Sequence, residues 1–388
     1  MEQNVLRYFL GSKSALSFFI LCIGSYFLGL IIQMLQLGEG LQVAVIFSDW
    51  TKNWIELTFA GITMGFLIFI LASGMTLIFG LIGVVNLAHG SFIALGSFIC
   101  WHFILKVNHT FRSVETVHWT PMPGVIPPVE KTIISSEGLF YGGSVLNAAM
   151  LLIAGIAFAS IVLALAGWFY EKYIVSNVYN DQPAQILITL GVAVVMIEIL
   201  LVFYGGSTPR IRKPEFLQGQ LTLFESWDGG VGVLYTRILS GVAGLFIFIF
   251  TYLVLIKTRF GLLIRAGVEN KEMVESFGYK VKTVFILVFI MANIYAAIGG
   301  SLYSLNNRSL SLAVSDDILL VVMVAVIIGG LGSIKGCLIG AVLLMLAQNY
   351  MNGIYPPLAG GMSAVIVMVV ILLWRPEGLD PVGGESNG

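Results

Sequence analysis

Apolar stretches of about 18 or more residues, each long enough to cross a bilayer as a helix, recur along this chain from end to end. They fall at roughly 15–35, 55–83, 85–106, 144–170, 184–204, 236–257 and 283–305, with shorter ones at 317–328, 337–350 and 361–374. The fold class that follows is an all-α polytopic membrane protein with about 8–10 transmembrane or half-spanning helices, interrupted by Gly-rich breaks. Composition closes off the alternatives. Charged residues make up 11% of the chain, against about 25% in a soluble domain. A soluble enzyme, a nucleic-acid binder, a coiled coil and a disordered chain are excluded, and a net charge of −1 gives no reason for a polyanionic partner.

Arg7 and Lys13 precede the first apolar run. That run exceeds the usual h-region and lacks a small-x-small cleavage site, so it is expected to be a retained helix. Cys22, Cys100 and Cys337 each lie in an apolar stretch and read as small apolar residues. His102, His109 and His118 fit no standard zinc spacing, so no metal is expected. The segment 107–143 carries a run of prolines from Pro121 to Pro128, which resists helix and suggests an irregular extramembrane cap.

Lysine and arginine near the helix ends set the orientation. Lys257, Arg259, Arg265, Lys271, Lys280 and Lys282 place 257–282 in the cytoplasm. Counting spans puts Glu171–Gln185 and Arg375 on the same side, and 107–143, 205–235 and 306–316 outside. Arg210, Arg212 and Lys213 then lie outside, against the trend.

Three segments carry functional expectations. In 80–96, Asn86 and His89 interrupt an apolar run at i, i+3 spacing, which places them on one helix face. They either flank a translocation path or make a helix–helix hydrogen bond that fixes packing. In 327–340, the glycines at 329, 330, 332 and 336 separate two short apolar runs, read as two half-length helices that dip inward and turn near Lys335. No Gly-Lys dipeptide exists, so the turn is not a P-loop. In 259–282, Leu262, Ala266, Met273 and Phe277 form a narrow apolar stripe on a short amphipathic helix that stops at Gly278. Three glutamates beside it favour a protein partner over a membrane surface.

Four motifs, Asn86-Leu-Ala-His-Gly90, Arg265-Ala through Gly278, Gly329-Gly-Leu-Gly-Ser-Ile-Lys-Gly336 and Leu373-Trp-Arg-Pro-Glu-Gly378, resemble in order and spacing the permease subunits of ABC importers for branched-chain amino acids. The resemblance covers roughly 55–106 and 144–380. It implies a transport subunit, not an enzyme, in the plasma (inner) membrane of a prokaryote. Its implied partners are a second permease, two cytoplasmic ATPases, a soluble substrate-binding protein and the lipid bilayer. The family also serves urea and short-chain amides. The Asn86/His89 motif looks more like that of the first of the two permeases. By this resemblance 55–380 is the permease domain, with an outer insertion at 107–143 and a coupling segment at 257–282. Residues 1–54 are an N-terminal helix and outer connection, and 381–388 a tail. Asn86, His89, Gly90, Gly329, Gly330, Gly332 and Ser333 are expected at the path. Arg265, Ala266, Glu269, Asn270, Met273 and Gly278 are expected at the ATPase, and no cofactor is implied. The competing class is a stand-alone secondary transporter, whose ion coupling would need an intramembrane acid such as Glu198, otherwise a buried paired group. No zincin or nucleophile-elbow pattern supports an intramembrane enzyme.

Overall fold

The apolar runs fold as helices because a backbone in lipid must satisfy its own hydrogen bonds. The computed structural model describes residues 21–27, 29–31, 43–110, 114–119, 129–134, 138–141, 144–179, 181–206, 208–223, 230–269, 271–279, 281–354 and 358–380. The longer helices are α1 (Val43–Ile82), α2 (His89–Thr110), α3 (Val145–Tyr173), α4 (Gln182–Tyr204) and α5 (Tyr235–Lys257). Two short helices follow, α6 (Arg259–Glu269) and α7 (Lys271–Ser276). The chain continues through α8 (Val281–Asn307), α9 (Val314–Gly329), α10 (Ile334–Ile354) and α11 (Leu358–Trp374). Among the described residues, seven helices are long and apolar enough to cross a membrane: α1 to α5, α8 and α10.

α1, α2, α8 and α10 are the most buried of these, and α9 packs among α1, α2 and α10. α4 and α5 stand at the periphery, where Leu187, Val202, Phe203 and Phe246 are exposed. α1 runs antiparallel to α10. Backbone-close contacts pair Gly65 with Val342 and Gly353 with Leu57, and the Thr58 and Tyr350 hydroxyls are 2.9 Å apart. Two antiparallel hairpins leave the helices, β1 (Val114–Trp119) with β2 (Val129–Ile134), and β3 (Gln220–Leu223) with β4 (Val231–Leu234).

The loops sort into two ends. Val274, Val281 and Phe285 cluster with Ile82, Tyr179, Leu263 and Ala266, which brings the end of α1, the α3–α4 link and the 257–282 segment together. At the opposite end Arg212 lies over the Tyr141 ring, the Ile211 N–H donates to the Arg308 carbonyl, and the Gly232 N–H donates to Glu56. This is the grouping expected from charge, and the first end is called inner, the second outer.

Four expectations change. The 107–143 segment is not irregular throughout: β1 and β2 pair from Val114↔Ile134 to Trp119↔Val129, while 121–128 lie outside the described residues. α10 is a full-length helix rather than a half-length one: it starts at Ile334, where Ser333 Oγ accepts from the Gly336 N–H, and runs to Ile354. The amphipathic helix of the coupling segment is two helices, α6 and α7. Glu198 is exposed on α4 rather than held in a buried pair. The expected N-terminal helix is described only at 21–27 and 29–31, where Tyr26 accepts from Trp50 Nε1, and the 381–388 tail lies outside the described residues.

Candidate functional site

Gly83 ends α1 with φ +75°, and residues 83–88 continue without helix. Their backbone groups find other partners, as irregular backbone at membrane depth must. The Leu87 N–H donates to Thr189 Oγ1 (3.3 Å), and the Thr189 hydroxyl in turn points to the Val85 carbonyl. Asn86 Oδ1 accepts from the Ala88 N–H at 3.2 Å and from the Tyr170 hydroxyl at 3.0 Å. His89 Nε2 donates to the Leu71 carbonyl at 2.9 Å; a carbonyl can only accept, so this nitrogen carries the proton. Asn86 Nδ2 and His89 Nδ1 are buried with no partner.

The break runs from the inner end, where Ile82 sits, to halfway across the membrane. Ser91 Oγ donates to the carbonyl of Ala193, near the middle of α4. A Cβ on Gly74 would meet both His89 Cε1 and the Ala292 carbonyl at 2.8 Å, and Ala292 is near the middle of α8. α2 therefore begins at half-depth and runs outward.

α9 begins at the same place and runs inward. Its residue Ser315 places a hydroxyl 3.1 Å from Ser91 Oγ, and a Cβ on Gly90 would collide with the Ser315 carbonyl and touch Leu319 Cβ at 3.0 Å. Only glycine at position 90 lets the two helix starts meet. The chain reaches Ser315 from the outer end through a second non-helical stretch, tied there by the Leu310 N–H to the Pro209 carbonyl. Two breaks thus enter from opposite ends and stop at one junction. The expected single helix face carrying Asn86 and His89 is instead a break at Asn86 with α2 starting at His89, and the second break, before α9, was missed.

Asp316 and Asp317 form the first turn of α9 and are exposed. Both complement the helix dipole there. An exposed carboxylate at half-depth cannot face hydrocarbon, so this face of the chain meets water or polar protein.

The 329–336 turn is a separate structure. Gly332 presses against Gly80, nine residues along α1 from Leu71 and therefore about 13 Å nearer the inner end than the junction. Gly330 has φ +100° and closes α9 through its N–H to the Val326 carbonyl (3.0 Å). Ser333 caps α10 by accepting from the Gly336 N–H (3.0 Å) and donates to Asp380 Oδ2 (3.1 Å). The N–H groups of Leu379 and Asp380 bond the carbonyls of Ile328 and Gly329. The Arg375 to Asp380 segment is thus a clamp on the turn. Of the expected path residues, Asn86, His89 and Gly90 come together, and Gly329, Gly330, Gly332 and Ser333 do not join them.

At the inner end, Leu262, Met273, Phe277 and Tyr279 are exposed, and Ile264 and Val274 are the buried side chains beneath. Ala266 packs against this small core. Gly278 holds φ +87°, with its N–H on the Glu275 carbonyl at 2.9 Å. Asn270 lies outside the described residues, as do the side chains of Arg265 and Glu269.

The profile described as "Branched-chain amino acid transport system / permease component" matches residues 57–373. The chain is 22% identical over 328 residues to the high-affinity branched-chain amino acid transport system permease protein BraD of Pseudomonas aeruginosa, covering 84% of this chain and 95% of that one. It is 21% identical over 342 residues to the permease protein LivH of the corresponding high-affinity system in Escherichia coli K12, covering 85% and 98%. The probable branched-chain amino acid transport permease protein LivM of Methanocaldococcus jannaschii is 23% identical over 329 residues, covering 81% and 90%. No solved structure matches the chain.

Proposed function

Because the chain belongs to the branched-chain amino acid transport system / permease component family, we propose that it is a path-forming membrane subunit of an ATP-driven importer of branched-chain amino acids. It works with a second permease, two cytoplasmic ATPases and a soluble binding protein in a prokaryotic plasma (inner) membrane. The observation that carries the role is the half-depth junction of α2 and α9, with Asp316 and Asp317 exposed beside it. Discontinuous helices whose starts meet at the midplane are how transporters build a passage. The path runs along the exposed face of α9, between this chain and the second permease.

Coupling follows from the contacts. The ATPase seats on α6 and α7, using Met273, Phe277 and the bend at Gly278 together with Arg265, Ala266, Glu269 and Asn270. Pushing this unit moves Val281 and Phe285 of α8 and Ile82 of α1. α1 holds His89 through the Leu71 carbonyl, and at Gly74 it lies against both His89 and Ala292 of α8. A shift at the inner end therefore reaches the junction through two rigid helices. When it opens, Asn86 Nδ2 and His89 Nδ1 are free to meet water or a passing polar group. Asn86, His89 and Gly90 line this gate, and Gly329, Gly330, Gly332 and Ser333 form the inner hinge on which α9 turns.

The test is uptake of labelled L-leucine by proteoliposomes holding the chain, its partner permease, the ATPases and the binding protein. Uptake that requires ATP inside and binding protein outside supports the reading. Uptake by this chain alone, driven by a proton or sodium gradient, makes it a secondary transporter. Uptake of urea or acetamide in place of leucine refutes the substrate.

A further inference from the structure

We propose that the outer end of the chain carries a carboxylate site, built by Lys213, Arg212 and Arg308, that receives the α-carboxylate of a free amino acid before it enters the path. The amino-acid identity rests on the function proposed above; the site itself does not.

A cavity of about 250 Å³ opens at the outer end, lined by Ile211, Arg212, Lys213, Gln218 and Arg308. Drug-sized ligands occupy about 300–1,000 Å³, so this one suits a small molecule. Lys213 is only 4% exposed, and its Nζ donates to the Thr236 hydroxyl at 2.9 Å. A hydroxyl does not neutralise an ammonium, and buried charges are ordinarily paired. Among the described residues the charges acting on Lys213 are Arg308 and Arg237, both positive. Of the neighbouring acids, Glu56 of α1 acts on Arg237 and accepts from the Gly232 N–H, and Glu215, two residues along from Lys213, is exposed to solvent. Burial first, then the two arginines, lowers the Lys213 pKa to about 8. The ammonium is still mostly charged at pH 7, and a bound anion would hold it so.

The cavity is built from two fixed segments. The Ile211 N–H donates to the Arg308 carbonyl (2.9 Å) and the Leu310 N–H to the Pro209 carbonyl (3.0 Å), which locks 209–211 against 308–310. Arg308 sits in the left-handed region at φ +56°, uncommon for a side chain of that size. Gln218 donates to the Lys213 carbonyl at 2.8 Å and fixes the loop from within. Arg212 and Arg308 are exposed, so the anion can approach from water, and Ile211 offers apolar contact to an aliphatic side chain. Arg308 also begins the stretch that leads to Ser315 and the junction. The three cations therefore stand at the mouth of the second break, where a zwitterion would be oriented before descent.

The test uses the full chain in lipid nanodiscs and the carboxylate signal of L-[1-13C]leucine, titrated at pH 7 and pH 9.5. Acetate, L-leucinamide and inorganic phosphate serve as competitors. Leucine and acetate should bind with Lys213 dependence, and L-leucinamide, which lacks the carboxylate, at least about tenfold more weakly. Lys213→Met should lose at least about tenfold and Arg308→Gln several-fold, while Lys213→Arg keeps binding. Raising the pH to 9.5 should weaken binding as Lys213 loses its proton. Equal binding of leucine and leucinamide, or wild-type binding by both Lys213→Met and Arg308→Gln, overturns the site. Phosphate that displaces leucine at lower concentration overturns the amino-acid assignment in favour of an inorganic anion. Failed ATP-driven uptake with Lys213-dependent acetate binding intact would count against the importer and uphold the anion site.

Discussion

Replacing Gly90 by alanine adds one methyl group where α2 and α9 touch. The new Cβ would overlap the Ser315 carbonyl and press on Leu319 Cβ at 3.0 Å. Neither neighbour is the free end of a flexible side chain, so α9 itself must retreat. That retreat strains the 3.1 Å contact between Ser91 and Ser315. Overpacking of this kind costs typically 1–3 kcal/mol. At about 2 kcal/mol the closed junction loses roughly thirtyfold in population relative to open forms. ATP-driven leucine uptake should fall about tenfold or more, with membrane insertion and ATPase co-purification retained. Gly191→Ala is the control, since a Cβ there meets nothing within 4 Å. Parental uptake by Gly90→Ala, or an equal loss in Gly191→Ala, would show that the Gly90–Ser315 contact does not control the junction.

An impermeant thiol reagent should reach Ser276→Cys only from the cytoplasm and Glu215→Cys only from outside, both positions being exposed at opposite ends. Phe277→Asp, at a side chain 74% exposed on the inner face, should leave insertion intact and weaken ATPase co-purification by roughly tenfold or more, as loss of an aromatic anchor does. Tyr170→Phe removes the 3.0 Å bond to Asn86 and leaves that amide under-satisfied, so thermal unfolding in detergent should reveal a loss of about 1–3 kcal/mol.

The spans and the first break were legible because hydropathy reports them directly. Asn86 and His89 stand out as polar residues within an apolar run, and the chain does break there. The apolar run 337–350 understates α10, which also takes in Ile334–Gly336 at one end and Met351–Ile354 at the other. In the fold Asn349 Nδ2 bonds the Met345 carbonyl one turn back, and the Tyr350 hydroxyl meets Thr58, so the helix continues. The outer loop read at 306–316 takes in Asp316 and the apolar run read at 317–328 starts on Asp317, whereas α9 begins at Val314. An acidic pair opening a half-length apolar run was the available signal. The prolines of 121–128 concealed the β-prone runs on either side, Val114 to Trp119 and Val129 to Ile134. Arg308 is far in sequence from the adjacent Arg212 and Lys213, and only the fold brings it to their cavity.

The claim that substrate passes along α9 is tested most directly at Asp317→Cys in the assembled importer. A charged, membrane-impermeant thiol reagent added from outside should modify this cysteine, and substrate with turning-over ATP should change the rate. A water-filled passage at half-depth admits such a reagent; hydrocarbon does not. Modification by a lipid-soluble maleimide alone, with the charged reagent excluded in every nucleotide state, would contradict it.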